Sequence, residues 1–322
     1  MFYSDCVNFI STSEYYKSIF SQKVYKISLD AGCTCPTRDG TKGTGGCIFC
    51  SASGSGDFAS SRKLSIKEQV EQAKKLVINK IPKKQQADAK FIAYFQNFSN
   101  TYGNEEDLLS KFNQAINEPN IVGISIATRP DCLSENMIKE ISNLKPRDYP
   151  KNKIFHISIE LGFQTSKDSS VIFIRRGYEN SIYIEAIKQI HKIAPNIHVI
   201  THLIFGLPEE TIEDMLNSVR FVLNAKTDGV KFTVLHVLEG TDLATLWKEG
   251  KIKTLTQEEY FDILKKSIQI IEEFNQKTGK NIVIHRLTGD GAKKILLSPM
   301  WTADKKKVLN SLTKFLILNL IF

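Results

Sequence analysis

Apolar runs rich in β-branched residues recur along the chain, and an amphipathic stretch follows nearly every one. The runs are VYKISL (24–29), KFIAYF (90–95), IVGISIA (121–127), IFHISIEL (154–161), HVITHLIF (198–205) and GVKFTVLHVL (229–238). Each reads as a short strand buried on both faces. Between them, Ser65 with Glu68 and Thr256 with Glu259 form capping boxes. These mark helix starts before Val70, Ala73 and Val77, and before Ile263, Ile268 and Ile271. Residues 104–116, 134–144, 181–193 and 211–223 also have helical periodicity. Six βα units in succession predict a parallel sheet with helices outside it, because parallel neighbours need crossover connections. An open doubly wound sheet and a full or partial (β/α) barrel both satisfy this pattern, and both keep their functional loops at the carboxyl ends of the strands. No internal repeat or low-complexity linker divides the 322 residues.

Composition changes this picture little: 42% apolar and 24% charged residues are ordinary for a soluble globular chain. The opening MFYSDCVNFISTSEYYKS has neither the basic start nor the unbroken apolar run of a signal peptide, so a cytoplasmic protein is expected. The most apolar stretch, FLILNLIF (315–322), is too short to span a bilayer and is expected to pack on the core as a last helix or strand. A net charge of +8 and a pI near 9.0 would suit an RNA partner. The lysines, however, are scattered in runs such as KIPKKQQADAK and ADKKK, which read as solvated faces.

The chemistry concentrates in one loop. CTCPTRDGTKGTGGCIFC (33–50) follows the first long strand and holds four of the six cysteines, at Cys33, Cys35, Cys47 and Cys50. Clustered cysteines in a reducing compartment point to metal or redox chemistry rather than disulfides. Four thiols packed together would stay protonated unless a metal drew off their protons. A four-cysteine structural zinc site fits, although the single residue between Cys33 and Cys35 departs from the usual knuckle. A redox dithiol at Cys47 and Cys50 would want a helix start directly after it, where SASGSGD stands instead. An iron–sulfur cluster fits as well: Cys47 and Cys50 hold two irons and Cys35 a third across the glycine-rich turn, which leaves one iron open to a ligand. The loop is not a phosphate cradle, since GTKGTGG lacks the ending of a P-loop and no G-x-G-x-x-G opens a helix. The lone cysteines Cys6 and Cys132 carry no signal.

KISLDAGCTCPTRDGTKGTGGCIFC resembles the cluster loop of the YhcC/YtqA-like radical S-adenosylmethionine (SAM) proteins, relatives of the Elongator catalytic subunit. Further blocks resemble that family in the same order: YFQNFSNTYG (94–103), IATRPDCL (126–133), IELGFQT (159–165), RRGY (175–178), HLIFGLPEET (202–211), LHVLEGTDLA (235–244) and HRLTGDG (285–291). The resemblance implies a partial (β/α)6 barrel, a [4Fe-4S] cluster on Cys35, Cys47 and Cys50, and no ligand role for Cys33. It also implies reductive cleavage of SAM to a 5′-deoxyadenosyl radical that takes a hydrogen from the substrate, with electrons from a donor such as flavodoxin or ferredoxin.

The resemblance carries residue roles over one at a time. Phe49 matches an aromatic position beside the adenine. Gln96 to Thr101 match the segment that holds the methionine moiety, with Asn97 or Ser99 at the amino group, although the usual Gly-Gly-Glu is absent. Glu160 and Gln164 fall where SAM ribose and methionine are contacted, and a carboxylate inside an apolar strand is costly unless paired. Arg176 has a planar fork suited to the SAM carboxylate, with a surface salt bridge as the plainer reading. Ile204, Gly206 and Glu209 match a G-x-I-x-G-x-x-E motif in which His202 replaces the first glycine. His236 and Arg286 are expected to face substrate, and Arg129 and Asp131 to form a buried ion pair or shape their loop.

The expected organisation is an N-terminal segment (1–19), a radical SAM barrel (20–275) and a C-terminal extension (276–322) covering part of the mouth. The catalytic residues and the substrate are not legible, and RNA, through a tRNA nucleoside, is an admissible substrate. The rival from another class is a non-catalytic RNA-binding protein stabilised by a four-cysteine zinc site. No membrane association is expected.

Overall fold

Residues 9–54 and 59–320 are described in the computed structural model. The six expected strands form close to their predicted limits as β2 (Val24–Leu29), β3 (Lys90–Phe95), β4 (Ile121–Thr128), β5 (His156–Gln164), β6 (Ile197–Phe205) and β7 (Gly229–Val234). The run 229–238 is broken after Val234 and resumes as the short β8 (Val237–Leu238). Helices fall between the strands as expected: α2 (Ile66–Ile78), α3 (Glu105–Ile116), α4 (Glu135–Ser142), α6 (Asn180–Ile193), α7 (Ile212–Asn224) and α9 (Gln257–Thr278). Two shorter helices, α5 (Asp168–Phe173) and α8 (Asp242–Lys248), sit in the segments that follow β5 and β8. Both capping boxes are made, with the side chains of Ser65 and Thr256 accepting from the backbone N–H of Glu68 and Glu259.

Two further strands lie outside the expected limits of 20–275. They are β1 (Ile10–Ser11), from the N-terminal segment, and β9 (Val283–Arg286), from the expected extension. With β2 to β7 they form one eight-stranded sheet in the order β1-β9-β7-β6-β5-β4-β3-β2, every pair parallel. A strand as short as β1 carries no periodic signal and is recruited by the unpaired edge of β9. Buried helix faces such as Val70 and Ala73 of α2, and Ile263, Leu264 and Ile268 of α9, close over the outside of the sheet in one continuous core.

The extension divides. Residues 289–292 reach the mouth of the sheet, and β10 (Leu296–Ser298) pairs antiparallel with β8. The final helix α10 (Lys305–Leu320) packs outside, placing Val308, Leu312 and Leu316 in the core. FLILNLIF thus ends in a helix on the core as expected, with its last two residues beyond those described.

Alternate residues point into the space the sheet encloses. At the floor, the amino ends of the strands contribute His156, His198 and His285, covered by Tyr15 and Tyr16 of α1 (Thr12–Phe20). The Tyr15 ring stacks on His198 at 4.7 Å and meets His285 edge-on at 5.8 Å, and Tyr16 meets His156 edge-on at 5.4 Å. Above this layer lie Lys26, Tyr94, Ser125, Glu160, His202 and Lys231, one from each of β2 to β7.

Candidate functional site

A cavity of about 730 Å³ opens at the carboxyl ends of the strands, lined by residues of β2 to β7 and β9 and by the segments that follow β2, β3, β4, β5, β7 and β9. The cysteine loop is fastened at both ends. At its start, Asp30 accepts from the backbone of Gly32 (2.7 Å), Asn97 Nδ2 (2.7 Å) and Arg62 Nη2 (3.2 Å), and its own N–H goes to Gln69 Oε1 on α2 (2.8 Å). At its end, Ile48 donates to the carbonyl of Ile174 (3.2 Å) and accepts from the N–H of Leu243 (3.1 Å). Ile48 and Phe49 join a second apolar cluster with Ile174, Leu207, Leu235 and Leu243. In between, Arg38 Nη2 donates to the carbonyls of Cys50 (3.0 Å) and Ser51 (2.7 Å). Gly46, at φ +79°, lets that arginine cross: a Cβ there would stand 2.8 Å from Arg38 Nε.

Cys35, Cys47 and Cys50 line the cavity, whereas Cys33 is 6% exposed and belongs to the core. The four-thiol site of the zinc reading is therefore not what this loop builds. Cys33 starts the loop beside Asp30, and the turn that sends Cys35 upward sends Cys33 inward. Cys35 Sγ lies 3.2 Å from Ser99 Oγ, and Cys47 Sγ 3.8 Å from the carbonyl of Arg175. Burial raises the Cys35 thiol and pushes Cys47 up to about 12, with Arg129 and Arg38 only partly opposing it. Thiols this reluctant to ionise become ligands only when a metal displaces their protons. Three such thiols facing one cavity, with the fourth turned away, fit a [4Fe-4S] cluster with three protein ligands. Among the described residues no three Cys, His, Asp or Glu side chains converge closely enough to share a single ion.

The other expected residues separate into two groups. Phe49, Gln96, Ser99, Gln164, Ile204, His236 and Arg286 line the cavity. Gln164 is aimed there by a bulge that ends β5: the register shifts between Gly162 and Gln164, and Gln164 adopts φ +67°. A Cβ on Gly162 would meet its Nε2 at 2.8 Å. Asn97 is buried against Asp30 and secures the cysteine loop. Arg176 also reaches the cavity wall, but it is no surface salt bridge. It is 1% exposed and donates to the carbonyls of Phe163 (2.8 Å), Thr165 (2.8 Å) and Tyr178 (3.1 Å) and to Asn180 Oδ1 (2.8 Å). Its fork is thereby occupied in folding the segment after β5. Gly206, at φ +87°, packs against Leu255, and Glu209 adopts φ +63° with its carbonyl accepting from Lys167 Nζ. Arg129 and Asp131 form the buried pair at 2.8 Å, to which Lys42 adds at 2.6 Å.

Glu160 has no exposed surface, and both its oxygens are engaged. Oε1 takes Lys26 Nζ (2.5 Å) and Ser125 Oγ (2.6 Å), while Oε2 takes His202 Nε2 (2.7 Å) and Lys231 Nζ. Burial works to raise its pKa, but Lys231, Lys26 and His202 together hold it well below the carboxylate range. His202 is kept neutral by burial, which pushes it down to about 4, so its Nε2–H donates. Burial also pulls Lys231 well below an ordinary ammonium, with Lys26 and Arg286 adding to the effect and Glu160 opposing it. Sequence reasoning misses the partners Lys26 and Lys231, although the signal is there: a lysine inside VYKISL and another inside GVKFTVL violate apolar strands as Glu160 does.

A parallel sheet curled around a cavity, with three thiols on the loop after its first long strand, defines a class, and the sequence comparisons agree. Residues 40–222 match the description "Radical SAM superfamily" and residues 227–317 that of the "Radical_SAM C-terminal domain". The chain belongs to the radical SAM superfamily, whose members use a [4Fe-4S] cluster and SAM. Within it the chain is 36% identical over 295 residues to the protein YtqA of Bacillus subtilis (strain 168), covering 92% of this chain and 85% of that one. It is 29% identical over 297 residues to YhcC of Escherichia coli (strain K12), covering 92% and 88%. Its fold is similar to that of Elp3 from Methanocaldococcus infernus, with a TM-score of 0.59 at 17% identity, covering 91% of this chain and 63% of that one. It also resembles methylornithine synthase, with a TM-score of 0.51 at 13% identity, covering 94% and 85%. Among the described residues no helix is long and apolar enough to cross a membrane.

Proposed function

We propose that this chain is an enzyme that cleaves SAM reductively at a cluster held by Cys35, Cys47 and Cys50 and directs the radical at a substrate in the same cavity. The observation that carries this reading is the placement of three thiols on the cavity wall with Cys33 buried behind them. When bound, the cluster supplies the electron and an open coordination position for SAM. The chain's own residues do the rest. Phe49 offers an aromatic face beside the thiols, and Gln96, Ser99 and Gln164 offer polar groups of the kind that hold the methionine and ribose. Ile204 presents apolar surface at the end of β6. Glu160, with both oxygens engaged, anchors the polar layer of the lumen and positions Lys231 and His202. Closing the radical inside a walled lumen keeps water and stray hydrogens away from it, so orientation performs much of the catalysis. The electron donor we assign is of the flavodoxin or ferredoxin type, in the cytosol.

Anaerobic purification with iron and sulfide analysis, followed by dithionite reduction with SAM, tests this. About four irons and four sulfides per chain and formation of 5′-deoxyadenosine are expected. A protein without iron, or a cluster whose spectrum ignores SAM, would sink the proposal.

For the substrate, a tRNA nucleoside is the finer reading. Part of the chain is 31% identical over 157 residues to the tRNA uridine(34) acetyltransferase of Methanocaldococcus jannaschii, covering 47% of this chain and 27% of that one. Another part is 27% identical over 161 residues to the tRNA-2-methylthio-N(6)-dimethylallyladenosine synthase of Alkaliphilus oremlandii. Comparing modified nucleosides in tRNA with and without the gene decides it, since an unchanged set would exclude tRNA.

A further inference from the structure

The charges around the cavity do not balance. Seven lysines and arginines line it (Lys26, Arg38, Lys80, Arg129, Arg176, Arg286 and Lys305) against two carboxylates, Glu160 and Asp290. Most of these cations have work within the fold. Lys26 is on Glu160, Arg129 on Asp131, and Lys305 on Asp290 at 2.7 Å. Arg38 and Arg176 spend their donors on carbonyls and Asn180.

Arg286 is different. It ends β9, and its recorded bonds are Nη2–H to Thr233 Oγ1 and a long Nε–H to the carbonyl of Phe232 at 3.4 Å. Among the described residues no carboxylate stands at ion-pair distance from it. Asp290 is the acid on this wall, and its Oδ2 is already taken by Lys305. The groups around Arg286 make matters worse. Lys231, His202 and His236 all feel its charge as a force against carrying a proton. His236, beside it on the wall, is neutral and bonded to Thr302 Oγ1 at 3.1 Å. A half-buried guanidinium facing a cavity, with no carboxylate at ion-pair distance among the described residues, is costly to keep unless something anionic visits. In the strand order, five strands separate β9 from β2, the strand that leads into the cysteine loop. Arg286 therefore sits on the wall formed by β7 and β9, across the sheet from the cysteine loop, although Ile204 of β6, an expected SAM contact, pairs with Thr233.

We propose that Arg286 anchors an anionic group of the substrate, a carboxylate or a phosphate, at the β7–β9 wall of the cavity, with the Thr233 hydroxyl beside it. The inference rests on reading this cavity as the place where SAM is cleaved. It names the class of molecule presented to the radical: one that carries an acid group, gripped by the planar fork so that its reacting carbon faces the thiol side.

The test uses the anaerobic, cluster-loaded protein, with sodium succinate and inorganic phosphate as separate probes in calorimetric titration. One or both should bind saturably, and a response to one alone identifies the acid group. R286Q should weaken that binding about tenfold or more, the loss expected for a charge-assisted bidentate contact. R286K keeps the charge without the fork and should fall between the two. Circular dichroism melts establish that each variant folds, and R286K alone decides the matter if R286Q does not. Three results overturn the inference: neither probe binds to the native protein; binding is indifferent to both variants; or SAM affinity falls in step with probe affinity, which reassigns the guanidinium to the carboxylate of SAM itself. The radical reading stands or falls separately. Absent 5′-deoxyadenosine with Arg286-dependent anion binding removes the radical reading and leaves Arg286 as an anion site without that chemistry, whereas intact SAM cleavage with Arg286-independent binding removes this inference alone.

Discussion

The floor and the mouth of the lumen are built from the same strands, yet they treat the backbone and polar groups in opposite ways. At the amino ends, Tyr15 and Tyr16 lie over three histidines, with His198 Nε2 and His285 Nε2 bonded at 2.8 Å. The positive-φ residues on that side simply turn the chain: Ser21 and Lys226 lead out of helices α1 and α7, and Asn120 leads into β4. At the carboxyl ends, Phe98, Gln164, Arg175 and Glu209 adopt positive φ within the segments that line or support the cavity. A phenylalanine in that conformation is held only because its surroundings insist. Gly54 leaves room for the Phe98 ring, and Arg38 and Arg62 lie over it at 5.4 and 5.1 Å. The floor is a packed plug, whereas the mouth stores strain to aim side chains.

The largest expected effects break the mouth without touching the floor. Cys35→Ala, Cys47→Ala and Cys50→Ala should each abolish formation of 5′-deoxyadenosine and strip iron, while Cys33→Ala keeps both. Iron analysis and product chromatography read the outcome, and a loss of iron in Cys33→Ala would return the loop to a four-ligand site. Next comes the knot between the two regions. Glu160→Gln leaves Lys26 and Lys231 without their shared carboxylate and should cost about 3–5 kcal/mol in urea unfolding. A loss near zero would mean that the lysines find water instead.

Acid should act through the buried histidines of the floor and middle, and through His236 on the cavity wall, which burial also holds down to about 4. Burial holds His198 and His202 down to about 4, against an ordinary 6.5, and holds His156 and His285 well below it. Between those values the unfolded chain binds more protons than the folded one. The histidines' contribution to stability is therefore full above pH 6.5 and is lost as pH drops toward 4. Glu160, depressed below its ordinary 4.5, adds its own loss under that pH. Thermal melts from pH 7.5 to 4.5 should show a falling midpoint, and a flat profile would contradict neutral buried histidines.

The smallest effects sharpen the contrast with two glycines. At the floor, a Cβ on Gly123 would meet the His156 carbonyl at 2.5 Å. Backbone cannot step aside, so Gly123→Ala should destabilise by about 1–3 kcal/mol. At the mouth, Gly162→Ala meets only the Gln164 amide, the movable end of a side chain. It should cost under about 1 kcal/mol yet weaken SAM binding severalfold, by displacing that amide. Equal costs in the two melts, or SAM affinity unmoved by Gly162→Ala, would erase the distinction.

How much of this was legible varied with the range of the interaction involved. Ser65 and Thr256 cap their helices as read, and Asn104 and Thr211 cap the helices expected from 104 and 211, because a cap is a contact over three residues. Glu160 stood out because an unpaired carboxylate in a buried strand is too costly to be incidental, but nothing local said that its partners would be Lys26 and Lys231. Arg176 shows the opposite failure. RRGY looks like a ligand motif, and nothing local said that its second arginine, on the cavity wall, would spend its donors on folding the segment after β5.

By itself the sequence determined the alternation of strand and helix, the parallel sheet that this alternation compels, and the loop where the metal chemistry belongs. Those follow from periodicity, chain connectivity and the reluctance of thiols to ionise unaided. The tertiary structure decided which three cysteines face the cavity, that β1 and β9 complete the sheet, and that Arg286 has no acid at ion-pair distance among the described residues. Each of these depends on which distant side chains burial brings together, and a pairing between residues far apart leaves no trace in the local pattern of either one.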